Sequence, residues 1–365
     1  MRLDFFPSRT LTIYLAKTFV VRILAVLLML VLVLQMLDLL GESGKILGYP
    51  GNGEAQLWHY ISLRFPQLVA RFLPYSVLLA TILTLATLNQ NSEVIAMKAA
   101  GMSAHQVLAP LLISAFVVSC FSFAFNERVV TRATATLSAW QNVDYGAIPK
   151  DSGVRTNVYM ADGVNIFTAG TLTGKGPDAV MENVTFYVRD RNGMIEQQIR
   201  SPRATFANPG WLLESPTRFD VETAASTKLG PMVVAKGLTP TNVALSKVNG
   251  DAQNAIELKE SIDLLKSSGR RTSELESKWW HKFSGPLSAT LMPLLGAVAA
   301  FGLARSGQLF LRAVIGMALG FAYFVVDNAA LAMGNFGGYP PLLAAWAPFF
   351  LFALVGETVL IRTEE

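Results

Sequence analysis

One short polar segment combines an acid with residues that can begin and end a small helix. Ser92 is a common helix cap, Glu93 would place a carboxylate in the first turn, and Gly101 would terminate the helix. Val94 and Met97 add apolar side chains beside that acid. Such a helix could enter the groove of a separate ATPase and pair its carboxylate with a basic residue there, or it could simply connect two membrane spans. The residues alone leave both interpretations open.

Motifs for enzymatic chemistry are absent from the sequence. Gly44-Lys45 and Gly174-Lys175 lack both the upstream glycine and the following hydroxyl residue of a phosphate-binding loop. The three histidines, His59, His105 and His281, stand far apart, which argues against a metal cluster. We therefore expect no cofactor in this chain and do not expect it to be an enzyme on its own.

The segments that must position these residues are long and apolar. Hydrophobic residues make up 52% of the 365 residues and charged residues 15%. Six runs approach the roughly 20 residues that cross a ~30 Å hydrocarbon core as a helix. They are Ile23–Leu40, Phe72–Leu88, Val107–Phe125, Phe283–Ala304, Ala313–Met333 and Tyr339–Ile361. We predict an α-helical membrane protein with six transmembrane helices, three within residues 1–125 and three within residues 281–365.

The short loops between these runs indicate an orientation. If the spans are joined in order, most basic residues near the span ends fall on one side, which the positive-inside rule assigns to the cytoplasm. They are Arg2, Arg9, Lys17, Arg22, Lys98, Arg305, Arg312 and Arg362, against Lys45, Arg64 and Arg71 on the other side. Both termini are therefore predicted to be cytoplasmic. The net charge of +4 reflects this topology and does not indicate nucleic-acid binding.

The residues between the third and fourth runs have the pattern of β-strands. Val180–Asp190 alternates apolar and polar residues, and Asp162-Gly163 and Asn192-Gly193 are dipeptides typical of hairpin turns. Short alternating strands at regular spacing predict an antiparallel sandwich, jelly roll or open barrel. We assign residues 126–280 to this domain, with helical connectors at Glu127–Asn142 and Ile256–Ser267.

Several segments together resemble a known family. They are the stretch from Ser92 to Gly101, Leu265–Gly269, Lys282–Ser288, Gly316–Asn328 with its Asp327-Asn328 pair, and Tyr339-Pro340-Pro341 at the last span. In these segments and in its overall plan the chain resembles the lipopolysaccharide-transport permeases of the LptF/LptG family, and the G-type members more than the F-type. The resemblance implies that the central domain is a periplasmic jellyroll-like domain inserted between the third and fourth helices of a bacterial inner-membrane protein.

The resemblance also implies a function and a set of partners. The permease would pair with a second permease of the same family as a heterodimer and recruit a cytoplasmic ABC ATPase dimer, which binds ATP and Mg²⁺. The complex would extract lipopolysaccharide from the outer leaflet of the inner membrane. It would pass this lipid to a membrane-anchored periplasmic jellyroll subunit and then to a periplasmic bridge protein, towards the outer membrane.

Particular residues acquire expected roles from the resemblance. The segment at about 92–101 would be the coupling helix, with Ser92, Glu93, Val94, Met97 and Gly101 contacting the ATPase. Cations would bind the lipid A phosphates beside apolar cavity walls, or they would be interfacial charges that extend towards water. The outer-side candidates are Lys45, Arg71, Arg128 and Arg132, with Arg64 weaker, and the polar residues Gln35 and Asp38 of the first span are predicted as further substrate contacts. Asp327, deep in the fifth span, is expected to face a partner or a cavity, not lipid, or to form a structural hydrogen bond with a neighbouring helix.

Two other classes of protein fit the same segments. One is a transmembrane subunit that couples a cytoplasmic ATPase to a periplasmic domain without transporting lipid. The other is a membrane-anchored enzyme that acts on envelope lipid or glycan. The first would lack a cavity large enough for acyl chains, and the second would need a cluster of polar residues in the β domain.

Overall fold

The computed structural model describes residues 7–362 except 142–143, 147–154, 163–164, 175–177, 191–192, 237, 240–248, 268–269 and 302–308. The chain divides into two compact units. The helical unit comprises Met1–Asp144, Gly250–Ile262 and Arg271–Glu365, and the sheet unit comprises Tyr145–Asn249 and Asp263–Arg270.

The described helices alternate long rods with short connectors. They are α1 (Arg9–Gly48), α2 (Glu54–Gln90), α3 (Glu93–Ala99), α4 (Ala104–Phe125), α5 (Thr131–Gln141), α6 (Ala255–Ser267), α7 (Ser273–Phe301), α8 (Leu309–Asn335) and α9 (Pro341–Arg362). One π-helical turn, Asn126–Val130, joins α4 directly to α5.

Five stretches of helix in the described part of the chain are long and apolar enough to cross a membrane. They are Arg9–Gly48, Glu54–Gln90, Ala104–Gln141, Val314–Asn335 and Pro341–Arg362. Residues 283–301 of the predicted fourth span lie in α7, whose first residues include the polar side chains of Glu274, Lys278 and Lys282. The side chains of α7 after Ala297 lie outside the described set. Five of the six predicted spans are thus supported, and the fourth span stays a prediction.

Helix α1 shows how the hydrophobic pattern decides packing. Its buried side chains recur every four residues, which places them on one face of a helix. They are Leu15, Phe19, Ile23, Leu27, Val31 and Gln35, together with Ile46 further along. The other faces of α1 are also apolar and exposed, for example at Leu24 and Leu28. A helix that is apolar all round suits a lipid environment, because hydrocarbon can cover the faces that protein does not.

Small residues let the long helices approach one another. A Cβ atom on Gly320 of α8 would lie 2.2 Å from Leu78 Cδ2 of α2, and one on Gly356 of α9 would lie 2.8 Å from Leu294 Cγ of α7. Close backbone approach through small residues is the usual way to pack helices in a membrane, where the hydrophobic effect does not drive helices together.

The sheet unit contains, among its described residues, one antiparallel sheet of eight strands. They are β1 (Arg155–Asp162), β2 (Asn165–Thr173), β3 (Val180–Arg189), β4 (Ile195–Ala207), β5 (Gly210–Glu214), β6 (Thr217–Asp220), β7 (Ser226–Lys228) and β8 (Met232–Val234). The order is β1-β2-β3-β4-β5-β8, and β6 pairs with β4 and β7. Trp211 and Phe167 are fully buried in its core. The predicted antiparallel β region is confirmed. Gly163 and Asn192 of the predicted hairpin turns lie outside the described residues.

The two predicted boundaries of the β domain fall inside helices. Residue 125 lies within the continuous helical segment Ala104–Gln141, and residue 280 lies within α7. The sheet unit is correspondingly shorter than residues 126–280. The reason is that the flanking connectors have apolar faces that pack on other helices, as Leu137 and Trp140 do in α5.

Candidate functional site

The predicted coupling segment folds as the short helix α3. Ser92 occupies the cap position, but its φ of 59° is in the left-handed region and its hydroxyl makes no capping hydrogen bond. The usual extended cap conformation aims the side chain at the first free N–H groups, and Ser92 does not adopt it. Ser92 therefore supplies the turn into α3, and its side chain is exposed.

The end of α3 follows the Schellman pattern, in which two N–H groups after the helix bond back to its last carbonyls. Gly101, with φ of 83°, donates its N–H to Lys98 O at 2.9 Å, and Met102 donates to Met97 O at 3.1 Å. A positive φ at this position favours glycine, which explains why the helix ends at this residue.

The two faces of α3 have different surroundings. Val94 and Met97 are 4% and 8% exposed and belong to the hydrophobic core of the helical unit. Ile95 is 65% exposed. Val94 and Met97 thus hold α3 against its own chain, and a partner protein would meet Ile95 instead.

Neutral donors orient the carboxylate of Glu93. Tyr14 Oη of α1 lies 3.3 Å from Oε1 and 3.2 Å from Oε2, and Asn91 Nδ2 donates to Oε1 at 3.2 Å. Within the described part of the chain, no lysine, arginine or histidine forms an ion pair with Glu93. The carboxylate is thus fixed in direction while its negative charge has no cationic partner in these residues.

A second polar contact lies just beyond α3. His105 Nε2, in the first turn of α4, lies 2.8 Å from Glu357 Oε1 of α9. Ser103 caps α4, since its hydroxyl accepts from Gln106 N while Gln106 Oε1 accepts from Ser103 N. The segment that leaves α3 is therefore connected to the last helix. The sequence did not predict this contact, because 252 positions separate His105 from Glu357.

Asp38 contacts residues of its own chain, whereas the sequence predicted a contact with the substrate. Arg64 Nη2 lies 2.8 Å from Asp38 Oδ1, while Arg64 Nε and Tyr60 Oη reach Oδ2 at 3.1 and 2.5 Å. Both carboxylate oxygens are used to join α1 to α2. We therefore assign Asp38 and Arg64 to helix packing. Gln35, one turn earlier, is buried, and neither atom of its amide has a hydrogen-bond partner.

The predicted cations differ in how far they are already neutralised. Lys45 Nζ lies 2.9 Å from Glu42 Oε1 in an exposed pair. Arg71, Arg128 and Arg132 are exposed, and none of them forms an ion pair with another described residue. Arg128 lies in the π-helical turn and Arg132 in α5.

Next to these arginines lies a buried ion pair that the sequence did not reveal. Lys282 Nζ of α7 lies 3.1 Å from Glu127 Oε1, with 9% and 16% of the side chains exposed. Glu127 Oε2 also accepts from Ala255 N, the first residue of α6, at 2.5 Å. One carboxylate thus joins the π turn, α6 and α7. The only sequence signal was the position of Glu127 and Lys282 at the ends of apolar runs.

Asp327 of α8 faces α7. His281 Nε2 of α7 lies 3.9 Å from Asp327 Oδ2, and Ser284 Oγ lies 3.3 Å from His281 Nδ1. Oδ1 of Asp327 is buried without a hydrogen-bond partner. The contact contributes to the interface between α7 and α8.

These observations define a multi-pass membrane protein with a separate antiparallel sheet unit and with an exposed acidic turn between its second and third apolar helices. A family model described as "Lipopolysaccharide export system permease LptF/LptG" matches residues 13–362. The chain belongs to this family of transport permeases. It is 25% identical to the lipopolysaccharide export system permease protein LptG of Escherichia coli (strain K12), over 98% of this chain and 99% of that protein. It is 22% identical to the LptG protein of Haemophilus influenzae (strain ATCC 51907 / DSM 11121 / KW20 / Rd), with the same coverage.

Proposed function

We propose that this chain is a permease subunit of an ATP-driven transporter that extracts lipopolysaccharide from the outer leaflet of the inner membrane and delivers it towards the outer membrane. Family membership supports lipopolysaccharide transport. The observation that carries ATP coupling is Glu93, a carboxylate on an exposed turn that is oriented by Tyr14 and Asn91 without a cationic partner in the described residues. A basic residue of a cytoplasmic ATPase would complete it.

The topology that we propose has six spans, with both termini in the cytoplasm and the sheet unit in the periplasm as a jellyroll-like receptacle. Energy is required because moving acyl chains out of a bilayer exposes them to water, at about 0.8 kcal/mol for each CH₂ group. An apolar interior in the sheet unit would receive the chains and lower this cost. ATP and Mg²⁺ would be bound by the partner ATPase, and this chain would bind no cofactor.

The remaining partners that we propose would meet exposed surfaces of the chain. The apolar faces of α1 and α8, for example at Leu28 and Phe321, would contact lipid or a second permease of the same family. The membrane-anchored jellyroll subunit and the periplasmic bridge protein would continue the path beyond the sheet unit. No nucleic acid is involved.

Among the predicted substrate contacts, three cations are best suited to lipid A phosphates. Arg71, Arg128 and Arg132 are exposed and lack an ion pair with any described residue, whereas Lys45 already contacts Glu42. The amide of Gln35 would be a polar contact only after a rearrangement, because it is buried in the present state.

Glu93→Gln tests the coupling role, since it removes the charge and keeps the side-chain volume. We expect weaker co-purification of the ATPase and a loss of lipopolysaccharide release from membranes, with normal insertion of the permease. Glu54→Gln is the matched control, because Glu54, like Glu93, is an acid in the first turn of a helix. Wild-type ATPase association and release in Glu93→Gln would contradict the proposal. If Glu93→Gln loses the ATPase and the wild-type complex itself releases no lipid, the result would favour a subunit that couples an ATPase to the periplasmic domain without transporting lipid.

A further inference from the structure

The hydrogen bond between Tyr14 and Glu93 connects α1 with α3 across 79 positions of sequence. Tyr14 Oη is within 3.3 Å of both carboxylate oxygens. A carboxylate can accept about four hydrogen bonds in total. Tyr14 donates one hydrogen, shared between the two oxygens, and Asn91 donates another, so acceptor capacity remains for a cationic side chain of a partner. Binding of that cation and the bond to Tyr14 are therefore compatible.

Helix α1 contacts the rest of the helical unit through a smaller part of its surface than α2 does. In its most apolar stretch 22% of the residues are buried, against 56% in α2. The protein contacts of α1 follow a single stripe that includes Leu15 and Phe19 at the end near α3. The packed face of α1 alone connects it to the rest of the chain, so a displacement at its end near α3 is opposed by the contacts of that face, which include the bonds of Asp38 to α2.

Helix α3 is held firmly within the helical unit. Val94 and Met97 are buried in the core of the helical unit, and the Schellman turn at Gly101 fixes its end. A push on Glu93 from outside is therefore transmitted through a short rigid element. The bond to Tyr14 then carries part of this displacement to α1.

We infer that Tyr14 is a positioning residue that acts through Glu93 and transmits movement of α3 to α1. This inference rests on the proposed function of Glu93 as the contact for a basic residue of the ATPase. Tyr14 would not bind the ATPase, the nucleotide or the lipid. Its hydroxyl would determine how much lipid is released for each ATP that is hydrolysed.

Tyr14→Phe isolates this role, because it removes only the hydroxyl of a half-exposed ring and should fold normally. In the assembled transporter, reconstituted in vesicles with lipopolysaccharide, we expect the lipid released per ATP hydrolysed to fall about threefold or more, a factor in the range for the loss of one ordinary hydrogen bond, because the O···O distances of 3.2 and 3.3 Å are long. The amount of ATPase bound to the complex should stay near the wild-type level. Tyr49→Phe, at the other end of α1, is the matched control and should behave as wild type.

The combination with Glu93→Ala separates the two proposals, because alanine removes the acceptor that a glutamine oxygen would retain. If Tyr14 acts through Glu93, adding Tyr14→Phe to Glu93→Ala should produce no further loss in the residual release ratio. An unchanged ratio in Tyr14→Phe, or fully additive losses in the double variant, would overturn the inference while the role of Glu93 stands. Wild-type behaviour of Glu93→Gln alone would instead reject the proposed function.

Discussion

Replacing Glu127 with alanine should destabilise the helical unit by about 3 kcal/mol or more, because removal of one partner leaves a buried charge unpaired. The remaining Lys282 side chain is only 9% exposed, so water cannot solvate its ammonium group well. Glu127→Ala also removes the acceptor for Ala255 N at the start of α6. Both losses act on the same three elements and should lower the midpoint of thermal unfolding in detergent.

The interaction energy between Glu127 and Lys282 can be measured with a double-mutant cycle. Lys282→Met alone leaves Glu127 bound to Ala255 N, so it should cost less than Glu127→Ala. The pair Glu127→Ala and Lys282→Met removes both charges and should recover at least half of the loss. Glu42→Ala serves as the control, because its exposed pair with Lys45 should contribute less than about 1 kcal/mol. Strictly additive effects of the two buried substitutions would refute the assignment of this ion pair.

Two further changes test helix packing by the same unfolding measurement. Arg64→Ala should cost about 1–2 kcal/mol, because both oxygens of Asp38 bond to Arg64, and Arg64→Lys should lose most of that amount since an ammonium cannot form the two parallel bonds. Equal stability of Arg64→Lys and wild type would contradict this geometry. Gly320→Ala should cost about 1 kcal/mol or more, because the new methyl group would lie 2.2 Å from Leu78 Cδ2. Gly44→Ala, with nothing within 4 Å, should be neutral or slightly stabilising, and similar values for the two glycine variants would disprove the close contact.

Much of the architecture could be predicted because its signals are local. Lipid-facing helices need long apolar runs, and α1, α2, α4, α8 and α9 are found where those runs lie. The strands follow the alternation of apolar and polar residues, as in β3. The first-turn acid Glu93, the terminating Gly101 and the approximate length of α3 could also be predicted, since helix starts and ends depend on a few adjacent residues.

The sequence could not reveal which side of each element is buried or which distant residues meet. Val94, Ile95 and Met97 are chemically similar, and only the positions of the surrounding helices determine that Ile95 is the exposed one. From the sequence Asp38 resembled a ligand contact, but it forms an ion pair with Arg64, which lies 26 positions away. The partner of Glu127 lies 155 positions along the chain, beyond any local pattern.

The position of Glu127 also has a consequence for protein engineering. The chain leaves the helical unit after Asp144 and re-enters it at Gly250, and within that unit the turn Gly250–Ala252 contacts α5 while Ala255 bonds to Glu127. The exit and re-entry points are therefore neighbours, a geometry that tolerates excision or exchange of an intervening module. Splicing a foreign β module between these points should yield chimaeric permeases whose helical scaffold still assembles.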